Sequence, residues 1–291
     1  MDEILGVNTL SINKVMVIGS GQMGSGIAQV LAQAGYSVIL NDIKQEFVDG
    51  AVAKISKQLD RSVEKGRLAA ADAEATVARI VTSVDYADAK DVDLVIEAAT
   101  ERRDIKLNIF KQLDEITPAH AILASNTSSL SITEIAAATN RPNQVVGLHF
   151  FNPVPVMKLI EINIGLTTDE ATVAAMREVG ESLNKTLVEV KDAPGFVVNR
   201  ILIPMINEAI IVLNEGISTA AEIDEAMKAG ANHPMGPLAL ADLIGLDTVL
   251  AIMNVLYEGY SDSKYRPAQL LKKKVEAGHL GRKTGQGFFE Y

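Results

Sequence analysis

The 291-residue chain contains no cysteine and no tryptophan, and only 4 % of its residues are aromatic. Without cysteine, the chain can form neither a disulfide framework nor a thiolate metal site. The absence of cysteine fits a reducing compartment. We therefore expect a cytoplasmic protein that holds no metal.

Positive charge is also scarce, because 27 Lys and Arg residues stand against 37 Asp and Glu residues and give a formal net charge of −10. An acidic surface repels nucleic acids and anionic membranes. We therefore expect neither of them as a main partner. A local basic patch that binds a phosphorylated ligand stays compatible with this balance.

Long apolar runs are missing as well. The longest run, residues 201–213, contains Pro204, Asn207 and Glu208, so it is too short and too polar to span a bilayer. The first six residues lack a basic region followed by an apolar core, so they do not resemble a secretory signal. With 48 % apolar residues, the sequence predicts a soluble globular protein with a sizeable core.

Strand-like and helix-like segments alternate from residue 14 to residue 190. Helical stretches, among them 47–64 and 105–116, separate short runs that are rich in Val and Ile. Such alternation predicts βαβ units and a mostly parallel sheet covered by helices on both faces. The predicted strands are residues 14–18, 37–40, 80–82, 94–97, 121–124, 145–149 and 187–190.

The pattern changes at Asp192-Ala193-Pro194-Gly195, and no convincing strand follows. Proline restricts the residue before it and glycine permits a sharp change of direction, so the pair predicts a domain boundary. We expect an α/β domain over residues 1–193 and an all-helical domain over residues 194–291. The predicted helices of the second domain are residues 196–215, 219–229, 245–257 and 268–277.

A G-x-G-x-x-G motif joins the first predicted strand to the first predicted helix. Its glycines allow a tight turn and let backbone amides approach a pyrophosphate at the helix N-terminus. The motif alone is weak, but Asp42 closes the second strand 18 residues after its last glycine, as in Rossmann-like, doubly wound dinucleotide-binding domains. The alternative is a purely structural turn. The motif residues are Gly19, Ser20, Gly21, Gln22, Met23 and Gly24.

Asp42 indicates which dinucleotide binds. A carboxylate at this place can accept hydrogen bonds from the ribose hydroxyls of NAD, and it repels the 2′-phosphate of NADP. Lys44 lies two residues further on and could soften that repulsion, so the sequence favours NAD without proving it. The alternative is that Asp42 only caps the following helix.

One of the four histidines is the candidate proton acceptor. Oxidation of an alcohol by hydride transfer needs a base, and the pKa of histidine lies near neutrality. His149 alone ends a buried-type strand, where open α/β sheets bind their ligands. Glu161 lies twelve residues later, beyond a proline-rich turn, and a second strand could return its carboxylate to the imidazole. The alternative for a lone histidine at a strand end is a structural role.

Five further blocks of the sequence, together with the glycine motif, resemble the 3-hydroxyacyl-CoA dehydrogenase family in order and in spacing. The nearest likeness is to its bacterial members that act on 3-hydroxybutyryl-CoA. The resemblance spans nearly the whole chain apart from about a dozen N-terminal residues. The five blocks are residues 124–130, 147–161, 192–200, 229–237 and 281–288.

The resemblance implies oxidation of (S)-3-hydroxyacyl-CoA by NAD, and the reverse reduction of acetoacetyl-CoA. It implies that His149 is the general acid and base with Glu161 as its partner. It also implies that Ser128 and Asn199 hydrogen-bond the 3-oxygen of the substrate and the histidine. Members similar to this chain form homodimers through the helical domain, so we expect the same here. The residues that the resemblance places near the nicotinamide are Glu101, Lys106 and Asn126.

Other interpretations of these residues stay open. Lys54 and Lys57, on the helix after Asp42, could bind the phosphates of coenzyme A or form a solvated face. From the residues alone, Ser128 is a possible helix cap and Asn199 a polar helical residue. Glu101 and Lys106 are then an exposed pair. A dehydrogenase of free hydroxy acids or sugar acids and a dinucleotide-binding protein without catalysis are the two rival functions.

Overall fold

The structure is a computed structural model that describes residues 11–291. The chain divides into two compact units, the first ending at Ala193 and the second comprising Pro194–Tyr291. Each unit has a hydrophobic core of its own. The prediction about a signal sequence concerns the first six residues, which lie outside the described range.

The first unit is built on an eight-stranded sheet in the order β3-β2-β1-β4-β5-β6-β7-β8. Strands β1 to β6 are parallel, β7 pairs antiparallel with β6, and β8 runs parallel to β7. The predicted mostly parallel sheet is therefore confirmed. The strands are β1 (Lys14–Ile18), β2 (Ser37–Asn41), β3 (Ile80–Ser83), β4 (Leu94–Glu97), β5 (Ile122–Ser125), β6 (Val145–Phe150), β7 (Leu159–Ile164) and β8 (Thr186–Lys191).

Helices cover both faces of this sheet. Successive strand residues point to opposite faces, so Val15 and Val17 join one core while Met16 and Ile18 join the other. Because both cores exclude water, the central strands are apolar at nearly every position. The helices of this unit are α1 (Gln22–Gln33), α2 (Gln45–Glu64), α3 (Ala70–Ala78), α4 (Arg103–Ile116), α5 (Ile132–Ala137) and α6 (Glu170–Ser182).

The parallel strands determine where the candidate site lies. The carboxyl ends of β1, β4, β5 and β6 meet at one edge of the sheet, since these four strands are neighbours and run in the same direction. In open α/β sheets, ligands bind at this edge. The glycine turn after β1 and His149 at the end of β6 both lie there.

The second unit is helical, as predicted. Within residues 194–291 the only β-type pairing consists of isolated bridges near the C-terminus. Its apolar core is formed mainly by the inner faces of α7, α9 and α10. The helices are α7 (Val198–Asn214), α8 (Ala220–Ala231), α9 (Pro237–Ile244), α10 (Leu246–Tyr260) and α11 (Gln269–Glu276).

No single helix within residues 11–291 has both the length and the apolar composition needed to cross a membrane. Helices α9 and α10 meet that test only when they are taken together. They are bent by 97° at the break between them.

Candidate active site

His149 and Glu161 face each other on adjacent strands. The antiparallel register of β6 and β7 pairs these two residues directly, so both side chains leave the same face of the sheet. His149 Nδ1 lies 2.8 Å from Glu161 Oε2. His149 is 6 % exposed and Glu161 is fully buried. The second strand that we expected to return Glu161 to the imidazole is β7.

This contact fixes which ring nitrogen carries the proton. A carboxylate oxygen only accepts hydrogen bonds, so Nδ1 donates and the neutral ring keeps its lone pair on Nε2. Nε2 is therefore the atom that can take up or return a proton. The ring of Phe151 packs against the imidazole with a centroid distance of 4.5 Å and helps to hold its orientation.

The glycine turn is shaped by backbone contacts. Gly19 has φ +94°, and a Cβ atom there would lie 2.6 Å from the carbonyl oxygen of Ala98. A Cβ atom at Gly24 would lie 1.7 Å from the carbonyl oxygen of Gly19. Both positions therefore require glycine for packing and, at Gly19, for conformation.

Gly21 differs from these two glycines. It precedes the first residue of α1, and no heavy atom lies within 4 Å of the Cβ position there. The approach to the N-terminus of α1 is therefore open, and the amides there can receive an anion at the positive end of the helix dipole. This arrangement fits the pyrophosphate of a dinucleotide.

Asp42 points to the glycine turn. Its Oδ2 accepts hydrogen bonds from the backbone N–H and the hydroxyl of Ser20, both at 2.7 Å. Helix α2 begins at Gln45 with Lys44 as its N-cap residue, and no side chain caps it. The alternative of Asp42 as a helix cap is therefore wrong.

Lys106 and Glu101 do not form a pair. Lys106 is 1 % exposed and forms an ion pair with Glu97, which is fully buried at the end of β4. The Nζ atom of Lys106 also lies 3.2 Å from the hydroxyl of Ser125. The interpretation of Glu101 and Lys106 as an exposed pair is therefore wrong, because the lysine is part of the core beneath the edge of the sheet.

Glu101 instead binds the loop after β5. Its carboxylate accepts hydrogen bonds from the hydroxyl of Thr127 at 2.7 Å and from the N–H and hydroxyl of Ser128 at 2.6 and 2.7 Å. The N-cap of α5 is Ser131, so the alternative of Ser128 as a helix cap is wrong. Ser128 lies in the loop that follows β5, at the edge where the glycine turn lies.

Asn126 connects two strand ends. Its Oδ1 accepts a hydrogen bond of 2.8 Å from the backbone N–H of Phe150, the residue after His149. Its own N–H donates to the carbonyl oxygen of Glu97 at 2.8 Å. The side chain therefore ties the end of β5 to the strand that carries the histidine.

Asn199 belongs to the second unit, where it is the second residue of α7. Gly195 and Phe196, just before this helix, have φ angles of +74° and +50°. Two consecutive residues in the left-handed region turn the chain sharply into α7. The sequence predicted a redirection here from the Pro-Gly pair.

A cleft of about 410 Å³ opens beside the glycine turn. Lys54 contributes to its wall, whereas Lys57, three residues further along α2, does not. The two lysines therefore differ in position although both are exposed. The cleft is lined by Ser20, Gly21, Gln22, Ser25, Gly26, Lys54, Ile55, Gln58, Asn152, Pro153, Val154, Pro155 and Val156.

Sequence reasoning missed the role of Glu97. A signal was present in α4, where Lys106 occupies the helical face that continues with Ile109, Phe110 and Leu113. A lysine in an apolar face is buried only with a partner of opposite charge. Glu97, which ends the buried strand before this helix, is a candidate for that partner.

Comparison with known proteins gives matches over both units. Residues 14–193 match the NAD binding domain of 3-hydroxyacyl-CoA dehydrogenase, and residues 195–291 match the C-terminal domain of the same family. A probable 3-hydroxybutyryl-CoA dehydrogenase of Bacillus subtilis is 54 % identical over 282 residues, which cover 97 % of this chain and 98 % of that protein. A 3-hydroxybutyryl-CoA dehydrogenase of Clostridioides difficile is 53 % identical over 96 % of this chain and 99 % of its own length.

Among solved structures, the (S)-3-hydroxybutyryl-CoA dehydrogenase PaaH1 from Ralstonia eutropha superposes with a TM-score of 0.95. It is 53 % identical in sequence, and the match covers 97 % of this chain and 99 % of that one. The similarity therefore extends over both units rather than over the dinucleotide-binding motif alone.

Proposed function

The chain belongs to the 3-hydroxyacyl-CoA dehydrogenase family of NAD-dependent oxidoreductases, and from that membership we propose that it oxidises (S)-3-hydroxybutanoyl-CoA to acetoacetyl-CoA and catalyses the reverse reduction. The two relatives described above carry this substrate in their names and share 53–54 % identity over nearly the full chain, which supports the short acyl chain. The observation that carries the chemical proposal is the 2.8 Å contact between His149 and Glu161 at the binding edge of the sheet.

When bound, NAD⁺ provides the nicotinamide ring that accepts the hydride. The amides at the start of α1 would hold its pyrophosphate, and the carboxylate of Asp42 would bind the adenosine ribose. Glu101, Asn126 and Lys106 would shape the nicotinamide end. Lys106 would act indirectly, because it is buried and forms an ion pair with Glu97 at the end of β4. The open approach at Gly21 supports this placement.

His149 would move the proton. In oxidation, Nε2 takes the proton of the 3-hydroxyl group as hydride leaves the carbon, and in reduction it returns a proton to the 3-oxygen. The negative charge of Glu161 stabilises the imidazolium in the meantime. General acid–base catalysis of this kind contributes on the order of 10²–10⁴-fold.

Ser128 and Asn199 would hold the substrate. A hydroxyl and an amide can each donate a hydrogen bond to the 3-oxygen, where negative charge develops. The hydroxyl of Ser128, which donates to Glu101 in the structure, would turn to the 3-oxygen when substrate binds. Of the two lysines on α2, Lys54 is the better candidate for a coenzyme A phosphate, because it lines the cleft beside the glycine turn.

An absorbance assay of NADH oxidation with acetoacetyl-CoA tests the proposal. We expect His149→Ala to lower turnover by about 10²–10⁴-fold while the Kd for NADH stays unchanged. His120→Ala is the matched control, since His120 contacts Asp93 before β4, at the opposite edge of the sheet. Normal turnover by His149→Ala would remove the base assignment.

Free acetoacetate separates the proposed function from its closest rival. A dehydrogenase of free hydroxy acids would reduce acetoacetate as well as its thioester, whereas the proposed enzyme needs the coenzyme A moiety for binding. A protein that binds NADH but reduces neither compound would be a binding protein without this catalytic activity.

A further inference from the structure

Ser20 donates two hydrogen bonds to Asp42, the residue proposed to bind the adenosine ribose. Its backbone N–H and its hydroxyl both donate to the same oxygen, Oδ2 of Asp42, at 2.7 Å. The backbone N–H of Ile43 donates to Oδ1 at 2.7 Å. Ser20 is 9 % exposed, so water competes little for its hydroxyl.

The sheet brings these residues together. Ile18 and Asn41 are register partners at the ends of β1 and β2. The N–H of Gly19 donates to the carbonyl oxygen of Asn41 at 2.8 Å, which extends the strand pairing into the glycine turn. The residue after Gly19 therefore lies opposite the residue after Asn41, and the hydroxyl of Ser20 reaches the carboxylate.

We propose that Ser20 is a positioning residue that fixes the carboxylate of Asp42 and thereby sets the preference for NAD over NADP. The inference rests on the proposed role of Asp42 at the ribose. A carboxylate has about four acceptor sites, and three of them are used by Ser20 and Ile43. Among the contacts made within residues 11–291, one site on Oδ1 stays available to a ribose hydroxyl.

A fixed carboxylate discriminates between NAD and NADP more strongly than a mobile one does. The 2′-phosphate of NADP would place a negatively charged group beside Asp42. The repulsion between the phosphate and the carboxylate falls if the carboxylate can rotate away. Lys44 does not neutralise Asp42 directly, since its Nζ atom lies 3.6 Å from Glu46 and 5.3 Å above the ring of Phe47. The hydroxyl of Ser20 is therefore the side-chain contact that, together with the backbone N–H groups of Ser20 and Ile43, limits the rotation of the Asp42 carboxylate.

The test compares the Kd and kcat/KM values of NADH and NADPH in Ser20→Ala, Ser20→Thr and the native protein. We expect Ser20→Ala to reduce the preference for NADH by about tenfold, the order of one hydrogen bond to a charged group. Ser20→Thr keeps a hydroxyl and should restore most of the preference. Ser62→Ala is the matched control, since the hydroxyl of Ser62 donates only to the carbonyl of Gln58 in α2.

A second comparison separates positioning from a general effect on the turn. In the Asp42→Ala background, Ser20→Ala should leave the NADH to NADPH ratio unchanged, because there is no carboxylate to fix. An unchanged ratio in Ser20→Ala alone, or an equal shift in both backgrounds, would overturn the inference. The Kd ratios need no turnover, so they test Ser20 even if acetoacetyl-CoA is not reduced.

Discussion

The ion pair of Glu97 and Lys106 is the residue-scale feature on which the binding edge depends most. Glu97 also accepts a hydrogen bond of 2.8 Å from the N–H of Ala99, in the loop that packs against Gly19. The hydroxyl of Ser125 donates to the same carboxylate at 3.2 Å. A single buried carboxylate therefore fixes the loop after β4, the start of α4 and the end of β5.

Removal of one charge should destabilise the protein strongly. We expect Lys106→Met to lower the free energy of unfolding by about 3–5 kcal/mol, because it leaves the buried charge of Glu97 without a counter-charge. The double variant Glu97→Gln with Lys106→Met should recover much of that loss. Urea unfolding at pH 7 measures both.

The nearby exposed pair of Arg102 and Asp104 provides the control. These side chains lie 2.8 Å apart and are 70 % and 67 % exposed, so Arg102→Ala should leave the free energy of unfolding nearly unchanged. A Lys106→Met variant as stable as Arg102→Ala would show that the buried pair does not stabilise the fold.

Some contacts between single residues could be predicted from the sequence, and others could not. His149 and Glu161 were predicted as a pair, because strand ends and a proline-rich turn leave a pattern in the sequence. The contacts of Glu97 with Lys106 and of Glu101 with Ser128 were not predicted. The contact of Glu101 with Ser128 joins the loops after β4 and β5, so it depends on the order of strands in the sheet. Glu97 and Lys106 belong to one strand and the helix that follows it, and their pairing depends on the burial of both side chains.

At the scale of elements, Arg141 ties the end of α4 to the segment before β6. Its Nε donates to the carboxylate of Asp114 at 2.7 Å, and its Nη atoms donate to the carbonyl oxygens of Asp114 and Pro118 at 2.7 and 2.5 Å. The last carbonyls of a helix lack partners within the helix, and here a guanidinium group supplies them. Asn140 also donates to Asp114 from its backbone and its side chain.

Because Arg141 and Asn140 bind the ionised carboxylate of Asp114, we expect the free energy of unfolding to fall in acid. Burial alone would raise the pKa of Asp114, but hydrogen bonds from the backbone of Asn140 and from Arg141 outweigh it and lower the pKa below 3.8. The stabilisation is therefore fully present above pH 3.8 and is lost as the pH falls toward the lowered value.

We expect Asp114→Asn to lower the free energy of unfolding by about 2–4 kcal/mol at pH 7. The difference from the native protein should shrink as the pH falls below 3.8, because the carboxyl group of the unfolded chain then binds a proton while that of the folded protein stays ionised. Urea unfolding at a series of pH values measures this, with Asp60→Asn on the exposed side of α2 as the control. A difference that stays constant down to pH 2 would contradict the assignment.

Most predicted elements agree with the structure to within one or two residues, but α9 was not predicted and α10 ends three residues beyond its predicted end. Helix α5 has only six residues, which is too short for a helical period to repeat. The second strand expected beyond the proline-rich turn is β7, and it does not begin directly after that turn. Val156 and Met157 instead donate to the carbonyl oxygen of Pro153 and close a turn, so the strand begins at Leu159.

At the scale of the whole molecule, we propose that the chain forms a homodimer through its second unit. Several large apolar side chains of this unit are exposed, including Ile201 at 68 % and Leu243 at 49 %. Sedimentation equilibrium should then give twice the chain mass of 31.1 kDa. A double substitution, Ile201→Asp with Leu243→Asp, should release monomers, because it places charges in an apolar contact.

The first unit provides the control for this prediction. Leu166 lies there and is 85 % exposed, so Leu166→Asp should leave the mass unchanged. A monomeric native protein, or a dimer that resists the double substitution and yields to Leu166→Asp, would contradict the proposed contact.

The predicted fold class was confirmed. It could be predicted because alternating strands and helices followed by helices alone are compatible with few folds. The return of β7 was expected from the proline-rich turn, whereas the direction of β8 was not predicted. Strand β7 buries Ile160 and Ile162 on one face and Glu161 and Asn163 on the other, and such a pattern does not record the direction of a strand.

The direct pairing of His149 with Glu161 constrains the register of β7 against β6. Side chains alternate between the two faces of a strand, so a slip of β7 by one residue would carry Glu161 to the far side of the sheet. Surface loops tolerate insertions at small energetic cost. An insertion between the two strands is therefore compatible with the pair when the loop absorbs it, whereas a one-residue slip would part the carboxylate from the imidazole while leaving both residues in the sequence.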